Sequence, residues 1–283
     1  MTLHHASPPM SAKSAGVLTA LLEERTGQQI AAYRSWRIDT ALKPLLRDRD
    51  LRSLDQLVKL LLDGDEPQLG DAIVDALVNQ ETSFFREPPV FEMIMEAVAA
   101  AEADGRRARI WSAGCANGQE PLSLAMLFAE RQEETGAPPP EIVASDVSEA
   151  TIVRCRTGQF NQFEIQRGLP IRRALKWFEG STSGEWVAKP ELLRMISFRR
   201  LNLVAPDWPV GRFDVVLCRN VLLYLSTAVK PGVFERLAAA LRRDGSLVLG
   251  AGETVIGQTR VFEPSKRYRG FYDAAPRGGM GVG

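Results

Sequence analysis

Apolar residues in the first third of the chain recur at helical spacing. Leu54, Leu57, Val58 and Leu61 fall at i, i+3, i+4 and i+7, and Ile73, Val74, Leu77 and Val78 repeat the stripe. No convincing strand pattern interrupts residues 14–80, which predicts a small N-terminal all-α domain. Beyond residue 106 the rhythm changes. Apolar runs at Arg109–Ser112, Glu141–Ser145, Ile196–Leu201, Phe213–Cys218 and Ser246–Gly250 alternate with helical stretches at 120–134, 148–157 and 227–243, and a further helix fits 88–103. Such alternation predicts an α/β fold, a doubly wound and mostly parallel sheet with helices on both faces. Residues 159–195 break it: the turn Gly180-Ser181-Thr182-Ser183-Gly184 lies between Trp177-Phe178 and Trp186-Val187-Ala188. That reads as a small antiparallel β insertion at about 175–195, either a lid or packing element or an edge that accepts a peptide strand. The expected organisation is a disordered N-terminus (1–13), the helical domain (14–80), a linker and first helix (81–105), the sheet domain (106–273) and a disordered tail (274–283).

Composition narrows the class. The 283 residues are 45% hydrophobic and 25% charged with zero formal net charge, ordinary for a globular protein and without the field that would draw nucleic acid or an anionic membrane. Cys115, Cys155 and Cys218 form no C-x-x-C pair and read as reduced, mostly buried thiols of a cytoplasmic protein. No apolar run is long enough to span a membrane, and no signal peptide is evident. His4 and His5, the only histidines, sit in the polar N-terminus, which leaves no histidine for catalysis in the folded body. With no Ser-His-Asp, Cys-His or metal-ligand set, hydrolase and metalloenzyme readings lose support.

Candidate chemistry gathers at the carboxyl ends of the predicted strands, where open α/β sheets bind ligands. The first strand runs into Ala113-Gly114-Cys115-Ala116-Asn117-Gly118-Gln119-Glu120-Pro121. Gly114 and Gly118 can take positive φ and present no Cβ to a ligand. Neither G-x-G-x-x-G nor a phosphate-loop motif is present, so the spacing fits a methyltransferase cofactor loop better than a pyrophosphate loop. Asp146 ends the second strand, where a carboxylate can accept two ribose hydroxyls or cap the next helix. Asn202 follows the third strand; Arg219 and Asn220 follow the fourth, with Tyr224 just beyond. The linker Asn79-Gln80-Glu81-Thr82-Ser83-Phe84-Phe85-Arg86-Glu87-Pro88 adds hydroxyls, two aromatics and an arginine able to clamp a carboxylate. Segment 30–60 carries seven basic residues (Arg34, Arg37, Lys43, Arg47, Arg49, Arg52, Lys59) against four acids, either a solvated face or a docking surface.

These motifs together resemble the CheR-type chemotaxis receptor methyltransferases. The matching stretches are Glu81 to Arg86, Arg109 to Cys115 with Gly118 to Pro121, Arg167-Gly168-Leu169-Pro170, Leu201-Asn202-Leu203, and Phe213-Asp214 through Cys218-Arg219-Asn220 to Tyr224, in family order over roughly residues 14–272. The resemblance implies a Rossmann-like S-adenosylmethionine-dependent methyltransferase that esterifies glutamate side chains of chemoreceptors and leaves S-adenosylhomocysteine. It implies that Arg86 and Tyr224 act at the reacting centre. Gln80, Thr82, Arg86, Gly114, Glu120, Asp146, Asn202, Leu203, Arg219 and Asn220 would surround the cofactor, with no metal. It further implies a cytoplasmic monomer whose basic helical module docks on receptor methylation helices, and whose β insertion, in some members, holds a tethering peptide from the receptor C-terminus. The chain departs from the family at Gln80, usually Asn, at Gln119, usually Glu, and at Gly250-Ala251-Gly252-Glu253, usually G-H-S-E. Two other readings use the same sheet. One is methylation of a small molecule or RNA, the RNA version weakened by the absence of a basic stripe beside the loop. The other is a catalytically silent S-adenosylmethionine-binding module, against which Arg86 and Tyr224 speak.

Overall fold

The computed structural model describes residues 10–103, 105–208 and 211–275. His4, His5 and the tail from Arg277 lie outside the described residues. These residues form two compact units that divide between Asn79 and Gln80, with Tyr224–Ser226 grouped with the first.

The first unit holds α1 (Ala12–Thr26), α2 (Trp36–Asp48), α3 (Leu54–Asp63) and α4 (Leu69–Leu77). α1 starts inside the stretch expected to be disordered, because the Ser11 side chain caps it by accepting from the Ser14 N–H. The predicted stripes face inward: Leu57, Ile73, Leu77 and Val78 are buried with Leu18, Leu22, Ile38 and Leu42. Residues 224–226 join this unit through backbone bonds, Gln29 N–H donating to the Tyr224 carbonyl at 2.7 Å and Ser226 N–H to that of Gly27 at 2.9 Å.

The second unit runs α5 (Pro88–Glu102), β1 (Arg109–Ala113), α6 (Gln119–Thr135), β2 (Glu141–Asp146), α7 (Glu149–Thr157), β3 (Gln159–Asn161), α8 (Gln162–Gln166), α9 (Ile171–Trp177), β4 (Phe178–Gly180), β5 (Glu185–Ala188), α10 (Pro190–Arg194), β6 (Ile196–Arg200), β7 (Phe213–Leu217), α11 (Lys230–Ala240), β8 (Leu241–Val248), β9 (Phe262–Pro264) and β10 (Phe271–Ala274). Among the described residues the main sheet has the order β6-β2-β1-β7-β8-β10-β9. The first five strands are parallel and the last two antiparallel. The order reverses direction between β1 and β7, the place where such sheets open a ligand crevice. Buried on both faces, β7 is wholly apolar except for Asp214, whose carboxylate accepts from the Arg109 N–H at 2.8 Å and pairs with Arg106 at 2.6 Å.

Three sequence expectations need correction. Residues 241–243 belong to β8 and not to the preceding helix: Leu241 is extended and pairs with Phe213, and a bulge follows before Ser246 pairs with Val215. The antiparallel strands β10 and β9, the latter at the sheet's edge, have no counterpart in the sequence pattern, since three or four residues carry too little alternation to register. The β insertion is a three-stranded sheet, β3-β5-β4, and not a lone hairpin. Its third strand comes from residues 159–161, before the turn signal.

Two carboxylates set an acid limit on this unit. Glu141 faces Arg109 across β1 and β2, and that hydrogen-bonded pair holds its carboxyl below the usual range. For Glu130, burial acts upward, but hydrogen bonds from Arg173 and Trp177 outweigh it and bring the carboxyl down. A depressed folded value means the stabilisation is complete above the ordinary carboxylate range and is lost as pH falls through the folded values. The denaturant midpoint is expected to drop between about pH 5 and pH 3, and to drop less in Glu130→Gln/Glu141→Gln. An equal drop in the double variant would remove these two groups from the account.

Candidate active site

β1 ends at Ala113 and the chain turns sharply to enter α6. Gly114 (φ +76°) and Ala116 (φ +46°) both take left-handed backbone, and the N–H groups of Gly114 and Cys115 donate to the Ser145 carbonyl at 2.8 and 2.9 Å. The sequence reading gave Gly114 the task of clearing space for a ligand. The structure shows the expected positive φ and adds a packing reason of its own. A Cβ there would lie 2.5 Å from a Val221 methyl, so the glycine is required by packing against the segment after β7. Gly114→Ala combines that overlap with an unfavourable φ and is expected to cost about 2–4 kcal/mol, read as a lowered denaturation midpoint. Unchanged stability would mean that Val221 simply moves aside.

The acids predicted to hold the cofactor are present at the strand ends and already organise the loop. Asp146 is 6% exposed and accepts from the Ala116 N–H at 3.0 Å and the Ser148 N–H at 3.1 Å. The cap of α7 is Ser148, so Asp146 braces the turn and is not itself the cap. Glu120, in the first turn of α6, accepts from Ser112 Oγ at 2.7 Å and from Arg219 Nη1 at 3.0 Å. Gln80 donates through Nε2 to Thr151 Oγ1 at 2.5 Å, and its carbonyl accepts from Asn117 Nδ2 at 3.4 Å, which ties the linker to the loop. Thr82 and Asn202 are half-buried and Leu203 is buried; Asn202 Oδ1 accepts from the Val204 N–H.

Arg219 is the organiser that the sequence did not reveal as such. Its side chain is 2% exposed, pairs with Glu120 at 3.0 Å and Glu87 at 3.3 Å, and donates to the Arg86 carbonyl at 2.7 Å. Burying this cation is tolerable because two carboxylates and a carbonyl take its Nη1 and Nη2, leaving only Nε without an acceptor among the described residues. Arg86 is therefore pinned by its backbone, while its half-buried guanidinium has no hydrogen-bond or ion-pair partner among the described residues. Phe85 and Glu87, on either side of it, both take positive φ, backbone strain gathered where the linker meets the sheet. Phe84 and Phe85 are both core residues. A Cβ on Gly168 would fall 2.1 Å from the Phe84 carbonyl oxygen, which explains the glycine in Arg167-Gly168-Leu169-Pro170.

Glu253 is the second residue whose task was missed. It accepts backbone N–H groups from Asn220 (2.6 Å), Gly250 (2.9 Å), Val221 (3.0 Å) and Leu223 (3.1 Å), and so clamps the turn that follows β7. Asn220 sits at φ +58° within that clamp. Tyr224 belongs to the helical unit, where its hydroxyl accepts from Asn79 Nδ2 at 2.6 Å. Neither Cys115 nor Cys218 is an activated nucleophile. The Cys155 thiol and burial push Cys115 well up, and burial does the same to Cys218.

At the carboxyl ends of β1 and β7, Asn117 Oδ1, Gln119 Oε1 and Asn220 Oδ1 are buried acceptors without a donor. With the carboxylates of Glu120 and Asp146 they form a set that suits a ligand rich in hydroxyl and ammonium hydrogens. S-adenosylmethionine is such a ligand. No group of His, Cys, Asp and Glu among the described residues could hold a metal ion.

Residues 80–271 match the family described as CheR methyltransferase, SAM binding domain. The chain is 33% identical over 245 residues to chemotaxis protein methyltransferase Cher2 of Pseudomonas putida, covering 83% of this chain and 88% of that protein. It is 34% identical over 245 residues to chemotaxis protein methyltransferase 1 of Vibrio cholerae (86% and 89%). Against chemotaxis protein methyltransferase 1 of Pseudomonas aeruginosa it is 32% identical over 257 residues (87% and 92%).

Proposed function

The chain belongs to the CheR methyltransferase family and is an S-adenosylmethionine-dependent methyltransferase, and from that premise we propose that it esterifies glutamate carboxylates on the cytoplasmic methylation helices of chemoreceptors. S-adenosylmethionine supplies an electrophilic methyl group on a sulfonium. Glu120 and Asp146, with Gln80, Thr82, Gly114, Asn202, Leu203, Arg219 and Asn220 around them, hold the cofactor in this reading. A glutamate is already ionised at neutral pH, so the residues here need only align it and exclude water; no general base is required. The observation that carries the reading is Arg86: its backbone is fixed by Arg219 while its guanidinium is left without a carboxylate. It orients the acceptor carboxylate bidentately. The decisive assay incubates the protein with methyl-labelled S-adenosylmethionine and receptor-containing membranes. Base-labile label is expected on the receptor and is lost when its methylation-site glutamates become alanine. Label on RNA or a small molecule instead, or none at all, would overturn the proposal.

The helical unit supplies the docking surface. Of its seven basic residues in segment 30–60, only Arg49 pairs with an acid among the described residues, Glu66 at 3.0 Å. Tyr33 and Trp36 stand 75% and 63% exposed beside them. Binding to an acidic receptor helix is expected to weaken by roughly tenfold or more between low and high salt, since exposed charge pairs are screened. Salt-independent affinity would remove the electrostatic part of the proposal. In the β insertion, β3 and β4 are edge strands, and a receptor C-terminal peptide would add to one of them through backbone bonds. The protein works as a cytoplasmic monomer in this proposal; among the described residues no helix is long and apolar enough to cross a membrane.

A further inference from the structure

β7 and β8 begin at the end of the sheet opposite Arg219 and Asn220, and there the surface is hollowed into a cavity of about 820 Å³. Its lining is dense in arginine: Arg212, Arg242, Arg243 and Arg260, with Glu235 and Asp244 as the acids. Arg242 has its own duty, with Nε 3.6 Å from the buried Asp214 carboxylate. Arg212, Arg243 and Arg260 have no ion-pair partner among the described residues. A chain with zero formal net charge has placed four guanidinium groups around one hollow, and among the described residues only one of them is paired with a carboxylate. A smaller cavity of about 350 Å³ shares Arg212 and Ala239 with it and is lined by Trp208 and Arg236. Arg236 lies over the Trp208 ring, 5.3 Å from its centre, and the Nε of each is buried without an acceptor.

Like charges in a concave site repel, and buried N–H donors without acceptors are costly. The repulsion is relieved by a ligand with several anionic oxygens in more than one cluster, which planar guanidinium groups bind in parallel pairs of hydrogen bonds. We propose that this hollow is a binding site for a ligand carrying two or more phosphate groups, separate from the methyl-transfer site. S-adenosylmethionine carries no phosphate, so it is not the occupant. The ligand is either a soluble polyphosphate compound or the headgroup of a diphosphate lipid, and the chemistry of recognition is the same.

Calorimetric titration with sodium tripolyphosphate tests the site directly. One-to-one binding is expected, unchanged by saturating S-adenosylmethionine and weakened roughly tenfold or more in Arg243→Gln/Arg260→Gln. Both of those side chains are exposed and unpaired, so the variant should fold as the parent does, which a matching thermal midpoint checks. Arg242 is left in place because its loss would strip a partner from the buried Asp214. Competition by cardiolipin-containing vesicles, absent with pure phosphatidylcholine vesicles, would assign the phosphates to a membrane; failure of those vesicles to compete would assign them to a soluble compound. Absence of saturable tripolyphosphate binding, equal binding by the double variant, or displacement by S-adenosylmethionine would each overturn the proposal.

Discussion

Replacing Arg86 by alanine is expected to lower methyl transfer to receptor by roughly a hundredfold or more while leaving the Kd for S-adenosylmethionine within about threefold. The separation follows from how the residue is held. Its carbonyl is gripped by Arg219 Nη2 at 2.7 Å, so truncating the side chain leaves the linker where it was. What disappears is a half-buried guanidinium with no hydrogen-bond or ion-pair partner among the described residues. A misaligned nucleophile loses rate steeply, because the near-attack geometry supplies much of the acceleration in a displacement that uses no base. Arg86→Lys should recover charge but not the paired hydrogen bonds, and so fall between the two. Calorimetry with S-adenosylmethionine and initial rates with receptor fragments separate binding from turnover. Transfer at the parent rate in Arg86→Ala would end the assignment. Loss of cofactor binding alongside activity would instead make Arg86 part of the cofactor's own pocket.

Glu253→Ala is expected to lower stability by about 3–5 kcal/mol, the largest effect of any single substitution considered. One carboxylate accepts four backbone N–H groups from both sides of the clamp, Gly250 on one and Asn220, Val221 and Leu223 on the other. Without it those donors compete for water in a mostly dehydrated place. Burial pushes the Glu253 carboxyl above its usual range, and the four N–H groups pull it back without cancelling the effect. A raised folded value reverses the sign found for Glu130 and Glu141. The stability contributed by the raised Glu253 value is fully present below the ordinary carboxylate range, where the group is protonated, and is lost as pH rises through the folded value. Glu253→Gln keeps one strong acceptor oxygen and should lose roughly half as much as alanine. Denaturant unfolding of the three proteins at one pH tests the order, and an alanine variant as stable as the parent would show that the clamp is dispensable.

The architecture was legible where periodicity was long or punctuation sharp. Five parallel strands and their helices could be read because each strand is an apolar run ending in polar residues at one end of the sheet. Strands of three or four residues carry no such signal, which is why β3, β9 and β10 were missed. Residue types at strand ends pointed to the candidate site, where Glu120 and Arg219 pair and Asp146 braces the loop before α6. Their partners were not legible, because ion pairs such as Glu120–Arg219 span about a hundred positions of sequence that no local pattern links. Glu253 shows the same limit from another side. Read against the family motif it looked like the remnant of a lost sequence, whereas its geometry gives it a structural task that depends only on a carboxylate at that place. Gly114 was legible as a positive-φ turn, but its packing against Val221 was not, since that residue lies 107 positions away and only the folded chain brings the methyl to it.

The shared charge at Glu120 has a consequence for how two substrates meet on one enzyme. Glu120 divides its oxygens between Ser112 and Arg219, and Arg219 in turn holds the segment bearing Arg86. A cationic group that draws on Glu120 alters what Arg219 has left to give the linker. If the methyl donor draws on Glu120 and the acceptor on Arg86, as proposed, the two ligands are thermodynamically coupled through a single buried arginine. By reciprocity, whatever factor the methyl donor applies to the affinity for the acceptor, the acceptor must apply to the donor.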